Sequence, residues 1–99
     1  MTKIKHYVEQ IDEELCGAKS YAEKYLEAKA SDDSDLASKY KEMATDELKH
    51  ATYVHNIAVD EIDRLRKVFT PPQDMLARWE KAHGKYIDKA AKVKSMLAM

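Results

Sequence analysis

Two short breaks divide this chain into three long stretches with helical periodicity. The segment Ser31-Asp32-Asp33-Ser34 is rich in side chains that form turns and cap helices. Further on, Pro71-Pro72 excludes a continuous helix, because proline lacks an N–H and restricts the residue before it. The intervening sequence predicts three helices, running from about Lys3 to Ala30, from Ser34 to Phe69 and from Pro72 to Leu97.

The three helices predict a single all-α domain over residues 1–99. It consists of a long antiparallel hairpin, about residues 3–69, and a C-terminal third helix, about residues 72–97. A net charge of -1 argues against a protein whose main role is to bind nucleic acid or acidic membranes. No apolar run approaches the ~18–20 residues of a membrane span, and no secretion signal is evident. We therefore expect a cytoplasmic protein.

The second helical stretch carries a carboxylate in the middle of its apolar stripe. On a helix, Glu47 lies on the line of this stripe, and His50 lies one turn further on. A carboxylate in that position is costly unless a metal, a cation or a proton compensates it. The apolar residues that define the stripe recur every three, four or seven positions: Leu36, Tyr40, Met43, Val54, Ala58 and Leu65.

The hairpin should bring Glu14 to the same level. A turn centred near residues 32–33 places Glu14 opposite about residue 51, within roughly one helical turn of both Glu47 and His50. Two carboxylates and an imidazole suit Fe(II), Mn(II) or Zn(II). A di-iron bundle needs a Glu from each of two helices and a Glu-x-x-His from each of the other two, so one chain supplies half a site. Two copies around a two-fold axis would complete a four-helix bundle and a two-metal centre.

The stretches around these residues resemble a known family. Glu14-Leu15-Cys16-Gly17-Ala18-Lys19-Ser20-Tyr21 and Asp46-Glu47-Leu48-Lys49-His50-Ala51 look like the encapsulated ferritins, half-ferritin members of the ferritin-like superfamily. The resemblance covers roughly residues 4–66. It implies a homodimer that binds two irons, with Glu14, Glu47 and His50 as ligands and Glu47 bridging. It also implies a ferroxidase, which oxidises Fe(II) with O2 to a bridged diferric product for iron storage or detoxification.

The resemblance extends to residues near the ligands, with two departures. Tyr21 matches a tyrosine of the family, and we expect Tyr40 and Asp46 to help orient the ligands as well. Ser20 stands where the family commonly has Trp. The C-terminal Lys94-Ser95-Met96-Leu97-Ala98-Met99 does not resemble the peptide that docks such ferritins in an encapsulin shell. An encapsulin partner and a ring-like oligomer larger than the dimer are left open.

Three alternatives to this interpretation stand. The two carboxylates could pair with Lys or His across a wet interface, in a structural helical module without metal. A peroxide-consuming di-iron protein resembling the rubrerythrins is another, although a sequence with one cysteine does not contain their Cys-rich iron domain. Mn or Zn could also occupy the site in place of iron.

Other residues are assigned ordinary structural roles. Glu61 should pair with Lys3 or Lys5, and Gly17 should mark a close helix contact. The lone cysteine, Cys16, should be a small packing residue.

The remaining histidines divide by face. His83 faces inward on the third helix and should be packed and hydrogen-bonded. His55 lies off the apolar stripe, and His6 lies near a terminus, so both are predicted to be surface residues.

Overall fold

Three α-helices account for the fold. The computed structural model describes residues 2–99, in which α1 spans Thr2–Ala30, α2 spans Ser34–Val68 and α3 spans Gln73–Leu97. No strand occurs within that range. The all-α prediction is confirmed, and each helix ends within one residue of its predicted boundary.

The turn between α1 and α2 is held by side-chain and backbone hydrogen bonds. Oδ1 of Asp33 accepts from the N–H of Leu36 at 3.1 Å and so caps α2. The N–H of Asp33 donates to the carbonyl of Ala28 at 2.9 Å, which satisfies one free carbonyl at the end of α1. Asp32 has a φ of 56°, a left-handed conformation that Asp tolerates better than most residues. The short turn makes α1 and α2 antiparallel neighbours.

The two prolines separate α2 from α3. The N–H of Phe69 donates to the carbonyl of Leu65 at 3.0 Å, and the extended backbone of Phe69 then ends α2. Pro71 is buried, and the carbonyl of Pro72 accepts from the N–H of Met75 at 3.1 Å as α3 begins. The chain reverses here, and α3 packs chiefly on α1, with a less extensive contact to α2.

Small side chains allow the helices of the hairpin to approach closely. Ile11 and Leu15 of α1 are only 1% exposed and supply larger aliphatic groups to the same core. The resulting bundle is long and narrow, 55 × 18 × 17 Å. Five alanines of α1 and α2 have no exposed surface at all: Ala18, Ala22, Ala44, Ala51 and Ala58.

Within residues 2–99, no helix has the length and apolar character that crossing a membrane requires.

One edge of the predicted apolar stripe on α2 remains uncovered. Val54 and Ala58 are buried, whereas Leu36 is 41% and Met43 40% exposed. Ile57, on the same heptad line as Leu36 and Met43, is 49% exposed. We call this side of the hairpin, with Leu36, Met43 and Ile57 along it, the open face.

Candidate metal site

Three side chains that the sequence predicts as metal ligands meet midway along the hairpin. Glu14 comes from α1, and Glu47 and His50 come from α2. One ligand atom from each residue lies within 4.8 Å of the other two. Oε2 of Glu14 is 3.3 Å from Nδ1 of His50. Glu47 and His50 project to one side because residues three apart on a helix are neighbours on its surface.

The cluster lies at the border between the hairpin core and the open face. The side chain of Glu14 is 20% exposed and that of His50 is 54% exposed. Oε2 of Glu14 is itself buried and accepts no hydrogen bond within residues 2–99, while Nδ1 of His50 lies within ion-pair distance of it. Leaving a buried polar atom unsatisfied costs about 1–3 kcal/mol. This oxygen is therefore suited to receive a cation or a proton.

Glu47 has a pKa raised above the ordinary value of 4.5. The main cause is the Glu14 carboxyl, because a hydrogen bond between the two groups favours the protonated form. Partial burial of Glu47 and the charges of Glu14 and Asp46 act in the same direction, while the charge of His50 opposes them. Ionising both carboxyls above the raised pKa therefore destabilises the fold, and a bound cation would relieve that repulsion.

Gly17 provides the space that the Glu47 carboxylate occupies. A Cβ at position 17 would lie 3.1 Å from Oε2 of Glu47 and 3.5 Å from its Cδ. The predicted close helix contact at Gly17 is confirmed, and its partner is the end of the Glu47 side chain. With Gly17 in the α1 wall, the carboxylate can settle against the helix backbone beside Glu14.

The donor set limits the chemistry of this cluster. Two carboxylates and one imidazole provide hard oxygen donors and one borderline nitrogen donor, a combination suited to Fe(II), Mn(II) or Zn(II). Three donors from one chain leave further coordination positions free for water, a substrate or residues of a second chain. The open side of the cluster coincides with the open face of the hairpin.

The aromatic residues expected near the ligands form a separate stack. The rings of Tyr21 and Tyr40 have centroids 6.3 Å apart and an interplanar angle of 22°. Nζ of Lys24 lies 6.0 Å from one centroid and 5.7 Å from the other. Because these tyrosines are seven residues from Glu14 and Glu47, they lie about 10 Å along the helix axes from the cluster.

Asp46 and Glu61 both carry charge outside the cluster itself. Asp46 is exposed and acts on Glu47 through its charge. Glu61 lies 3.9 Å from Nζ of Lys3 and also pairs with Arg64, so the predicted Glu61–Lys3 ion pair is confirmed. Cys16 is exposed, and the prediction that it packs in the interior is wrong. It lies beside a surface groove between α1 and α3 rather than under α3.

The prediction for His55 is also wrong. His55 is 9% exposed and lies between α2 and α3, where its Nε2 is 2.7 Å from Nδ1 of His83. The prediction for His83, a packed and hydrogen-bonded side chain, is confirmed. A second apolar line on α2 would have revealed His55, because Leu48 and Ile62 lie seven residues on either side of it and are buried.

Comparison with known proteins identifies no relative of this chain. No family model matches it, and neither a curated protein nor a solved structure does. The fold and the cluster therefore define a class only: an all-helical chain with a Glu–Glu–His group suited to a metal ion.

Gly17→Ala tests whether Gly17 makes room for the Glu47 carboxylate. The added Cβ should displace the carboxylate and weaken metal binding about 10-fold. Folding should persist, because the displaced atoms are the end of a flexible side chain and Ala is the better helix former by about 1 kcal/mol. Isothermal titration with Mn(II) and thermal denaturation measure the two effects.

Gly84→Ala is the matched control, since a Cβ at position 84 of α3 would contact nothing within 4 Å. It should stabilise the chain by about 0.5–1 kcal/mol and leave metal affinity unchanged. Equal metal affinities in the two variants and the wild type would contradict the role given to Gly17.

Proposed function

We propose that this chain is a ferroxidase of the ferritin-like type, which binds Fe(II) between two copies of its hairpin and oxidises it with O2. The observation that carries the proposal is the convergence of Glu14, Glu47 and His50 around a buried carboxylate oxygen without a hydrogen bond. Iron is here the substrate. Its oxidation would serve storage or detoxification.

The second copy is part of the proposal because one chain provides only three donors. A two-fold axis beside the cluster would place a second Glu–Glu–His set opposite the first and complete the four-helix arrangement of di-iron proteins. The open face supports this arrangement, since the exposed Leu36, Met43 and Ile57 flank the cluster along α2. Burying them against a second copy would also remove water from around the cluster.

The residues of the chain would have distinct tasks in the reaction. Glu14 and His50 of each chain would together complete the shell of one iron ion, and Glu47 of each chain would bridge the two ions. Each of two Fe(II) ions gives up one electron, and O2 accepts the two electrons with two protons and leaves as H2O2. The four carboxylates of a dimer offset the cation charge, which is greater after oxidation than before it. Metal binding displaces the proton that the Glu14–Glu47 pair favours, so affinity should rise with pH.

A structural role without metal is the second candidate function. It is favoured by the exposed apolar residues of the open face, which need only a helical partner. In that case Glu14 and Glu47 would share a proton or pair with basic groups across the interface.

Anaerobic titration with Fe(II), followed by air, separates these functions. The wild type should bind about one iron per chain and then develop a ferric absorption band. Glu47→Ala should lose the bound iron and the band. Glu61→Ala is the control, because Glu61 is another carboxylate of α2 but forms ion pairs with Lys3 and Arg64 away from the cluster. This variant should behave like the wild type. A stable wild-type dimer without bound iron would favour the structural role.

Exchange of one exposed isoleucine tests the interface. Ile57, on the open face, is 49% exposed, and Ile87, on α3, is 51% exposed. Ile57→Lys should weaken the dimer at least about tenfold, because it places a charge against the second copy. Ile87→Lys should leave the dimer intact. Sedimentation velocity measures both, and a wild type that is monomeric with metal present would contradict the two-fold arrangement.

A further inference from the structure

Away from the metal cluster, α2 and α3 are joined by a buried pair of imidazoles. Nε2 of His55 and Nδ1 of His83 are 2.7 Å apart, with ring centroids separated by 4.9 Å and an interplanar angle of 21°. The centroid separation is close to the nitrogen–nitrogen distance plus two ring radii, so the rings meet edge to edge. One N–H therefore points directly at the lone pair of the other ring.

Aromatic side chains of α3 enclose this pair. The ring of Tyr86 stacks on His55, with centroids 4.2 Å apart and an interplanar angle of 13°. Trp79 lies 5.5 Å from His55 and 5.9 Å from His83. The hydroxyl of Thr52 donates to the carbonyl of Leu48 in its own helix. It therefore accepts from the hydroxyl of Tyr86, which lies 2.9 Å away. The imidazole pair thus lies inside the contact that fastens α3 to α2.

The hydrogen bond between the rings tolerates one added proton but not two. Nδ1 of His55 lies 3.5 Å from Oδ1 of Asn56, an acceptor, which favours a proton on that nitrogen. Nε2 of His55 is then the acceptor, and Nδ1 of His83 is the donor. A proton on the outer nitrogen of His83 would leave the bond intact. A further proton on Nε2 of His55 would abolish the acceptor and place two cations edge to edge.

Neither imidazole forms an ion pair within residues 2–99. The groups that contact the rings from α2 and α3 include the neutral Asn56, Trp79 and Tyr86, and the nearest carboxylate in the α3 sequence is the exposed Glu80, one turn before His83. On α1, Asp12 lies in a surface groove with three basic residues of α3, Arg78, Lys81 and Lys85.

We propose that the His55–His83 pair is a proton-sensitive latch, which closes the contact between α2 and α3 when it is neutral or singly protonated and opens that contact when both rings are charged. The latch is independent of the proposed ferroxidase function, because it lies on the α3 side of α2, away from the metal cluster. It makes the contact between α2 and α3 a function of pH.

The direction of the pH effect follows from burial. Burial lowers the pKa of His55 below its ordinary value of 6.5, and the charge of His83 lowers it further, whereas the hydrogen bond to Asn56 opposes them. A histidine whose pKa is lower in the folded state stabilises the fold above its unfolded pKa, and this stabilisation is lost as pH falls through the folded value. The contact between α2 and α3 therefore opens below pH 6.5.

The sole tryptophan of the chain reports directly on the latch. With a chelator present to keep metal ions off the cluster, the fluorescence emission of Trp79 is followed from about pH 8 to about pH 5. Far-UV circular dichroism is measured in parallel. The wild type should show a red shift of emission below pH 6.5 while its helix content stays constant, because the contact between α2 and α3 opens without unfolding of either helix. His50→Ala should show the same transition, which separates it from the metal cluster.

His83→Phe removes one of the two charges and keeps an aromatic ring against Trp79. It should lose the transition, and His83→Gln should lose it too. If one of these variants fails to fold, the other still tests the proposal. An unchanged emission in the wild type down to about pH 5, or the same transition in a folded His83 variant, would overturn the proposal.

Discussion

The structure depends on two carboxylates that face each other across a closely packed helical hairpin. Completely buried alanines bring α1 and α2 near enough for Glu14 and Glu47 to share one pocket, and Gly17 makes room for the Glu47 side chain. The raised pKa of Glu47 is the physical consequence of that proximity. Apolar side chains at these two positions would stabilise the fold more than the carboxylates do, because a partly buried ionised pair of like charge opposes folding. The cluster is therefore suited to hold a cation or a proton.

The position of α3 decides which side of the hairpin carries the cluster. By packing chiefly on α1, and on α2 through His55, α3 covers one side of the hairpin and leaves the open face free. The cluster and the exposed apolar side chains lie together on that free side. In the proposed dimer, one surface would provide both the interface and the metal centre, so that metal binding and association would stabilise each other.

Much of the fold could be predicted from the sequence because its signals are local. The capping segment before α2 and the prolines before α3 define the helix ends. The position of the short turn sets which residues of α1 and α2 lie opposite each other. Glu14 could therefore be assigned to the level of Glu47 and His50. The Glu61–Lys3 ion pair follows from the same count.

Features that involve α3 were less predictable. The side of the hairpin on which α3 packs depends on contacts distant in sequence, and helical periodicity identifies faces without assigning their partners. The apolar line of α2 that faces α1 passes beside His55, so periodicity along that line places His55 at the surface, whereas contact with α3 buries it. The exposure of Cys16 has the same origin, since it lies beside α3 rather than under it.

Anomalous X-ray diffraction at the iron absorption edge, from crystals grown with Fe(II) under anaerobic conditions, tests the central claim most directly. The account predicts two iron peaks about 3.5–4 Å apart on either side of a two-fold axis, each beside Glu14, Glu47 and His50. Iron bound elsewhere, or a single ion held within one chain away from any second copy, would contradict it.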